Sequence, residues 1–290
     1  MVMETFRITK DNVCLEHFSL SQICRSGQCF RMEKVRDNVY CVIAGGQYLE
    51  IEQDETACVF HCGEDAYKSF WKNYFDIDTD YGTYIGQIDA GDTYLTKAAA
   101  FGSGIRILRQ DLWEMIVTFL ISQQNNITRI RRCVTNICEK YGEKKESAGG
   151  VIYYAFPTPE VLAGLTEDAL MECNLGYRSK YVVRSARSVL SGEVDLGALY
   201  GMSYQEAKAE LLKLYGVGAK VADCICLFAL HHLQAFPVDT HINQAFSKYY
   251  PTGFPKNLYE GYQGVLQQYI FYYELYENKD LQKKQGGYHT

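Results

Sequence analysis

The chain reads as α+β: an N-terminal antiparallel β-sheet domain with helices over residues 1–95, followed by an all-helical domain over 96–290. Three observations predict this. The first third carries β-branched and aromatic runs broken by Gly-Gly and Gln-Asp-Glu. From about residue 93 onward, apolar residues recur at helical spacing behind capping residues. Near residues 204–230, two helical patterns flank a Gly-Val-Gly turn.

In chain order, VYCVIAGGQYLEIEQ and TACVFHC are strand-like, and Gly45-Gly46 suits a hairpin turn. DAYKSFWKNYF places Ala66, Phe70, Trp71 and Tyr74 on one helical stripe. Asp111 is an N-cap for LWEMIVTFLISQQ, whose Leu112, Met115, Ile116, Phe119 and Leu120 share a face. Residues 142–151, GEKKESAGGV, read as a polar loop. Thr158-Pro159-Glu160 is a cap with proline at the first helical position. Ser203 and Glu206 form a capping box for a helix over 204–214. The ending, NKDLQKKQGGYHT, is expected to fray.

Of the 290 residues, 47% are hydrophobic and 22% charged, the balance of a globular protein with a sizeable core. No stretch approaches the roughly 18 consecutive apolar residues of a membrane span, and MVMETFRITKDNV lacks the apolar run of a signal peptide. The expected location is cytoplasmic, nucleoid-associated in a bacterium. The net charge of −6 argues at first sight against nucleic acid. Residues 1–97, however, hold 9 basic and 16 acidic groups, whereas 98–248 hold 16 and 15. Arg129, Arg131, Arg132, Arg178, Lys180, Arg184 and Arg187 all fall in that second stretch, where they read as solvated helix faces or as a local basic surface. The 11 cysteines show no regular framework. Cys58/Cys62 and Cys133/Cys138 lack a second close pair at zinc spacing, so no metal site is expected. No cysteine follows Cys226, which leaves no ligand set for an iron–sulfur loop beyond the turn.

The most informative segment is LLKLYGVGAKVADCICLFALHHLQAFPVDTH, residues 211–241. Gly216-Val217-Gly218 permits a tight turn between helices, and a turn at a helix N-terminus aims N–H donors outward at an anion. Such a contact suits phosphate, read as backbone and not as sequence. Lys220 sits in the first turn of the second helix, where a cation opposes the helix dipole. The dipole and desolvation would both lower its pKa, as suits a nucleophilic amine. Asp239 follows 19 residues later, placed to cap HINQAFSKYY. Taken singly, Lys220 reads equally as a surface lysine and Asp239 as a cap.

GVGxK, then VADCICL, then PVDxH resembles the helix–hairpin–helix glycosylase superfamily, and more narrowly the 8-oxoguanine DNA glycosylases of the eukaryotic type. SGQCFRM (26–32), GIRILRQD (104–111), SQQNNITRI (122–130) and LGYRSKYV (175–182) resemble further blocks of that family, in its order. The resemblance implies a bifunctional DNA glycosylase/AP lyase of base excision repair, which acts on duplex DNA containing oxidised guanine, as a monomer. It implies no cofactor for catalysis and admits a structural cation at the hairpin. Lys220 would attack C1′ of the damaged nucleotide and form a Schiff base, which a carboxylate could not do. Asp239 would stabilise positive charge developing on the sugar, with His241 beside it. The target base must first be flipped out of the duplex.

The resemblance further gives Gly27 a carbonyl that accepts from the N7–H of the oxidised base, where normal guanine presents a lone pair. Cys224 and Phe271 would stack on the two faces of the flipped ring, with Gln267 on its Watson–Crick edge and Phe228 in place of a common methionine. Gln124, Asn125, Arg129, Tyr177 and Arg178 would lie at the gap left by the base, Tyr177 wedged into the stack and the arginines on the orphaned cytosine. Gly216, Val217 and Gly218 would meet backbone phosphate. Gln124 departs from the Asn of eukaryotic members, which leaves the opposite-base preference open. Two other readings stand beside this one: a helix–hairpin–helix glycosylase of different base specificity, and a non-catalytic helix–hairpin–helix DNA-binding protein, which would need neither Lys220 nor Asp239.

Overall fold

A computed structural model describes residues 4–9 and 15–285, with side chains as far as residue 276. Five antiparallel strands form one sheet in the order β1-β5-β4-β3-β2: β1 Phe6–Thr9, β2 Met32–Arg36, β3 Val39–Ala44, β4 Gln47–Gln53 and β5 Ala57–Phe60. Gly45 and Gly46 close the β3–β4 hairpin with φ of 55° and 69°, the left-handed pair that a two-residue hairpin turn requires. Met32, Val42, Leu49, Ile51 and Phe60 are buried beneath the helix Leu20–Arg25 and the aromatic segment after residue 64. That segment is helical, but Tyr67–Trp71 winds as a π-helix. The wider turn moves the buried stripe to Tyr67, Trp71, Tyr74 and Phe75, in place of the stripe with Ala66 and Phe70 that regular spacing predicts.

The remainder is mainly helical. Every residue from Leu112 to Ile121 is buried in the helix Leu112–Ser122, and Asp111 caps it by accepting from Glu114 N–H at 2.8 Å. The caps expected at Thr158 and at Ser203/Glu206 are present. The capping-box helix spans Tyr204–Leu211, shorter than expected, because the chain turns at Leu214 toward the hairpin. Residues 142–151 hold more than a polar loop: β6 Lys144–Glu146 pairs with β7 Ile152–Tyr154. This pairing is set by the partner strand and a turn at Gly150, φ 78°, and leaves no hydrophobic alternation in the sequence. The C-terminal helix runs Gln263–Gln285 and takes in the start of the ending expected to fray; residues 286–290 of that ending lie outside the described residues.

Two buried cores meet along residues 104–110. The sheet core runs to Ile77 and includes Leu108, while Tyr94, Leu95, Ala98 and Ala99 belong to the helical core. Residue 95 thus falls inside the helix Thr93–Phe101, which packs on the C-terminal helix. Arg31 pairs with Glu114 at 3.3 Å across the junction. There burial pushes the Glu114 carboxyl up to about 7, against the pull of Arg31. These ties hold the loop at residues 26–30 over the helical core.

Candidate active site

The hairpin is built as its glycines allow. Gly216 has φ 92°, and a Cβ there would sit 2.5 Å from the Tyr181 ring, so only glycine fits. Its carbonyl accepts from Gln123 Nε2 at 3.0 Å, which ties the hairpin to the 123–126 turn. Val217 is buried and anchors the turn through its N–H to Leu214 O at 3.1 Å. Gly218 is exposed, caps the helix Ala219–Phe228 without a side-chain bond, and has nothing among the described residues within 4 Å of where a Cβ would be. The first-turn N–H groups of that helix are therefore open to an incoming anion.

Lys220 lies in that first turn, with Nζ 5.6 Å from the Phe119 ring centroid. One turn further on lies the buried Cys224, which couples to it electrostatically. Asp239 is the N-cap of the helix Thr240–Tyr249, accepting from Ile242 N–H at 2.9 Å, and couples electrostatically to Lys220. The lysine is held above its ordinary pKa by the Cys224 sulfur first and by the Asp239 carboxylate, against burial. This corrects the expectation of a lowered pKa: desolvation acts, but the neighbours outweigh it. Burial pushes the Cys224 thiol up in turn, against the pull of Lys220.

The other expected pocket residues come from four segments, one loop and three helices. Gly27 has φ 76°, and a Cβ there would meet Phe271 Cε1 at 3.0 Å and Ile127 Cδ1 at 3.6 Å. His241 packs edge-on against Phe271, with centroids 5.6 Å apart at 82°. Gln267 is buried; its Nε2 donates to Pro237 O at 3.0 Å, and its Oε1 has no partner among the described residues. A buried, unpaired acceptor suits a ligand that brings a donor. Phe228 is buried and stacks on Phe119, the ring beneath Lys220, at 5.6 Å and 18°.

At the expected DNA-facing side, Gln124 is exposed with φ 47°, a strained turn for a non-glycine residue. Asn125 Nδ2 donates to Ile121 O at 3.0 Å. Arg129 is exposed, and 45% of Tyr177 is open to solvent. Arg178 differs: it is 4% exposed, and its guanidinium donates to Gln123 O at 2.7 Å, Gln124 O at 2.8 Å and Leu175 O at 3.3 Å. It braces the strained turn and is no solvated basic group. Arg131 likewise turns inward, donating to Cys24 O at 2.8 Å, Cys29 O at 3.5 Å and Met32 O. Sequence reasoning also missed Gln28 and Gln268, both buried and both bonded to the loop that carries Gly27. Gln28 was visible inside the SGQ motif, while Gln268 left no signal apart from a polar residue within an apolar helix.

Residues 11–116 match the model of the 8-oxoguanine DNA glycosylase N-terminal domain, and residues 117–258 that of the HhH-GPD superfamily base excision DNA repair proteins. The N-glycosylase/DNA lyase of Saccharomyces cerevisiae is 30% identical over 279 residues, 86% of this chain and 72% of the yeast protein. The chain belongs to the N-glycosylase/DNA lyase family. Another member, from Arabidopsis thaliana, is 29% identical over 234 residues, 77% of this chain and 64% of the plant protein. Among solved structures, the Clostridium acetobutylicum 8-oxoguanine glycosylase/lyase, in complex with double-stranded DNA containing cytosine opposite to 8-oxoG, is 38% identical with a TM-score of 0.84. That match covers 90% of this chain and 93% of the clostridial one. The sheet followed by a helix–hairpin–helix domain is thus the architecture of this family, and the chain is a DNA glycosylase with AP lyase activity.

Proposed function

We propose that this chain excises 8-oxoguanine from duplex DNA in base excision repair, with Lys220 as nucleophile and Asp239 as its electrostatic partner. The observation that carries the reading is the meeting of Lys220, Cys224 and Asp239 around one helix N-terminus, beside a hairpin open to phosphate. Simple DNA binding would not need a half-buried lysine coupled to a carboxylate. In the unprotonated state the Lys220 amine attacks C1′, the C1′–N bond breaks and the base leaves with the bonding pair. The sugar C1′–O4′ bond then opens, O4′ taking a proton that the amine gives up, and the imine so formed permits β-elimination, in which C2′ loses a proton and the 3′ phosphate leaves. Asp239 faces the sugar as positive charge builds there. Gly27, Phe271, His241, Gln267 and Cys224 surround the flipped base, with Phe228 behind them. Gln124, Asn125, Arg129 and Tyr177 meet the gap, and Arg178 holds their turn. The Clostridium complex supports cytosine as the opposite base.

The reaction needs no resident cofactor on this reading. A structural cation would sit on hairpin carbonyls: those of Leu214 and Gly216 each accept one bond already and keep a second lone pair. We further propose a monomer acting on chromosomal or nucleoid DNA. No helix among the described residues is long and apolar enough to cross a membrane. Borohydride trapping on duplex DNA with 8-oxoguanine opposite cytosine tests the mechanism. Wild type should form a covalent adduct, and Lys220→Gln should form none while still binding DNA. Trapping by the variant at wild-type yield would overturn the assignment.

A further inference from the structure

We propose that Gln268 and Arg131 are positioning residues for base recognition: together they fix the turn at residues 26–28, and with it the direction of the Gly27 carbonyl. The inference rests on the base-pocket reading above and names what makes that pocket rigid.

Gln268 follows Gln267 on the C-terminal helix and lies one turn before Tyr272, in an apolar stretch. Only 2% of it is exposed, and its Nε2 donates to Ser26 O at 2.7 Å. A primary amide in such surroundings is costly unless it is bonded. The carbonyl it holds shares a peptide unit with the Gly27 N–H, so the bond fixes the plane on one side of Gly27. Gln28 fixes the other side. Its Oε1 accepts from Leu108 N–H at 2.9 Å, its Nε2 donates to Arg106 O and Ser26 Oγ at 2.9 Å each, and its carbonyl accepts from Gln110 Nε2 at 3.0 Å. Arg131 closes the arrangement from the helix Ile127–Tyr141, binding the carbonyls of Cys24, Cys29 and Met32 on either side of the turn.

Gly27 itself is the least constrained residue type, held at φ 76°. Its own carbonyl accepts no bond among the described residues, while those of Ser26 and Gln28 on either side are both taken. Among the described residues the Gly27 carbonyl is thus a free acceptor between two carbonyls that are held. Released from that frame, Gly27 could swing its peptide. The carbonyl would then no longer tell a ring N7–H from a ring lone pair, although Lys220 and the hairpin would be untouched.

The test uses Gln268→Met, which keeps length and volume but removes the donor. Three substrates are compared in single turnover: 8-oxoguanine duplex, a duplex whose lesion keeps the C8 oxygen but lacks the N7 hydrogen, and a duplex with a preformed abasic site. All rates are normalised to the fraction of protein trapped by borohydride on the abasic duplex, so partial misfolding cancels. Loss of one buried hydrogen bond should slow 8-oxoguanine excision roughly ten- to a hundredfold per active molecule. The preference over the lesion without N7–H should shrink by a similar factor, and abasic-site cleavage should persist. Arg131→Met should give the same split. Equal loss on all three substrates, or an unchanged preference ratio, would overturn the proposal. Failure of wild type to excise 8-oxoguanine at all would instead refute the function proposed above.

Discussion

Lys220 holds its proton more tightly than a free lysine because Cys224 and Asp239 both favour the ammonium in a site where burial alone would remove it. Only the neutral amine attacks carbon, so excision should rise with pH. Well below the lysine's pKa the increase should approach about tenfold per unit, measured in single turnover between about pH 6 and 9. Asp239→Asn removes one of the groups that raise the lysine. The amine should then be released at lower pH, shifting the profile toward acid while the limiting rate falls, since no carboxylate faces the sugar. Asparagine can still accept from Ile242 N–H, so the melting temperature should stay within a few degrees of wild type. An unchanged limiting rate would leave Asp239 as a cap only. A shift toward alkali would show that the carboxylate does not act on Lys220.

At the scale of elements, the two hairpin glycines have different tasks. Gly216 lies in the left-handed region, and a methyl group would enter the Tyr181 ring. Gly216→Ala should therefore lower stability by more than about 1 kcal/mol, read from urea unfolding. It should also disturb the 123–126 turn through the Gly216–Gln123 bond. Gly218 has an ordinary extended φ and open space beside it. Gly218→Ala should unfold like wild type yet bind duplex DNA more weakly, because the added methyl stands between phosphate and the helix N-terminus. Equal effects of both substitutions on stability would contradict this division.

Across the whole molecule, Asp76 joins parts distant in sequence. At the end of the aromatic helix, its carboxylate accepts from Arg109 at 2.9 Å and from Tyr81 Oη at 3.0 Å, and lies 3.3 Å from His231 beyond the hairpin helix. Arg106, fully buried, donates to Asp76 O at 2.7 Å. Burial pushes the carboxyl up, but His231 and Arg109 outweigh it and hold the group near pKa 2. A carboxyl depressed in the folded state stabilises it above its unfolded pKa. That contribution of about 2 kcal/mol should be lost as pH falls from about 4 through 2. Asp76→Asn should lower the melting temperature at pH 7, with the gap to wild type closing as the medium is acidified through that window. A gap independent of pH would mean that the charge of Asp76 does not matter.

The features legible in the sequence are those that neighbours in the chain decide. The Gly45-Gly46 turn, the caps at Asp111, Thr158, Ser203 and Asp239, and the hairpin before Lys220 each depend on a few adjacent residues. Their backbone geometry or their capping bonds are closed locally. What the chain alone does not reveal is which distant groups meet. Arg131 and Arg178 look like solvated cations until folding surrounds them with carbonyls from residues 24–32 and 123–124. Gln268 reads as a stray polar residue until Ser26 arrives across the core. The pKa of Lys220 shifts opposite to the local expectation, because Cys224 one turn on and then Asp239 from another helix favour the ammonium. Hydrogen bonds and charges act through space over a few ångströms, and tertiary packing alone brings such groups within that distance.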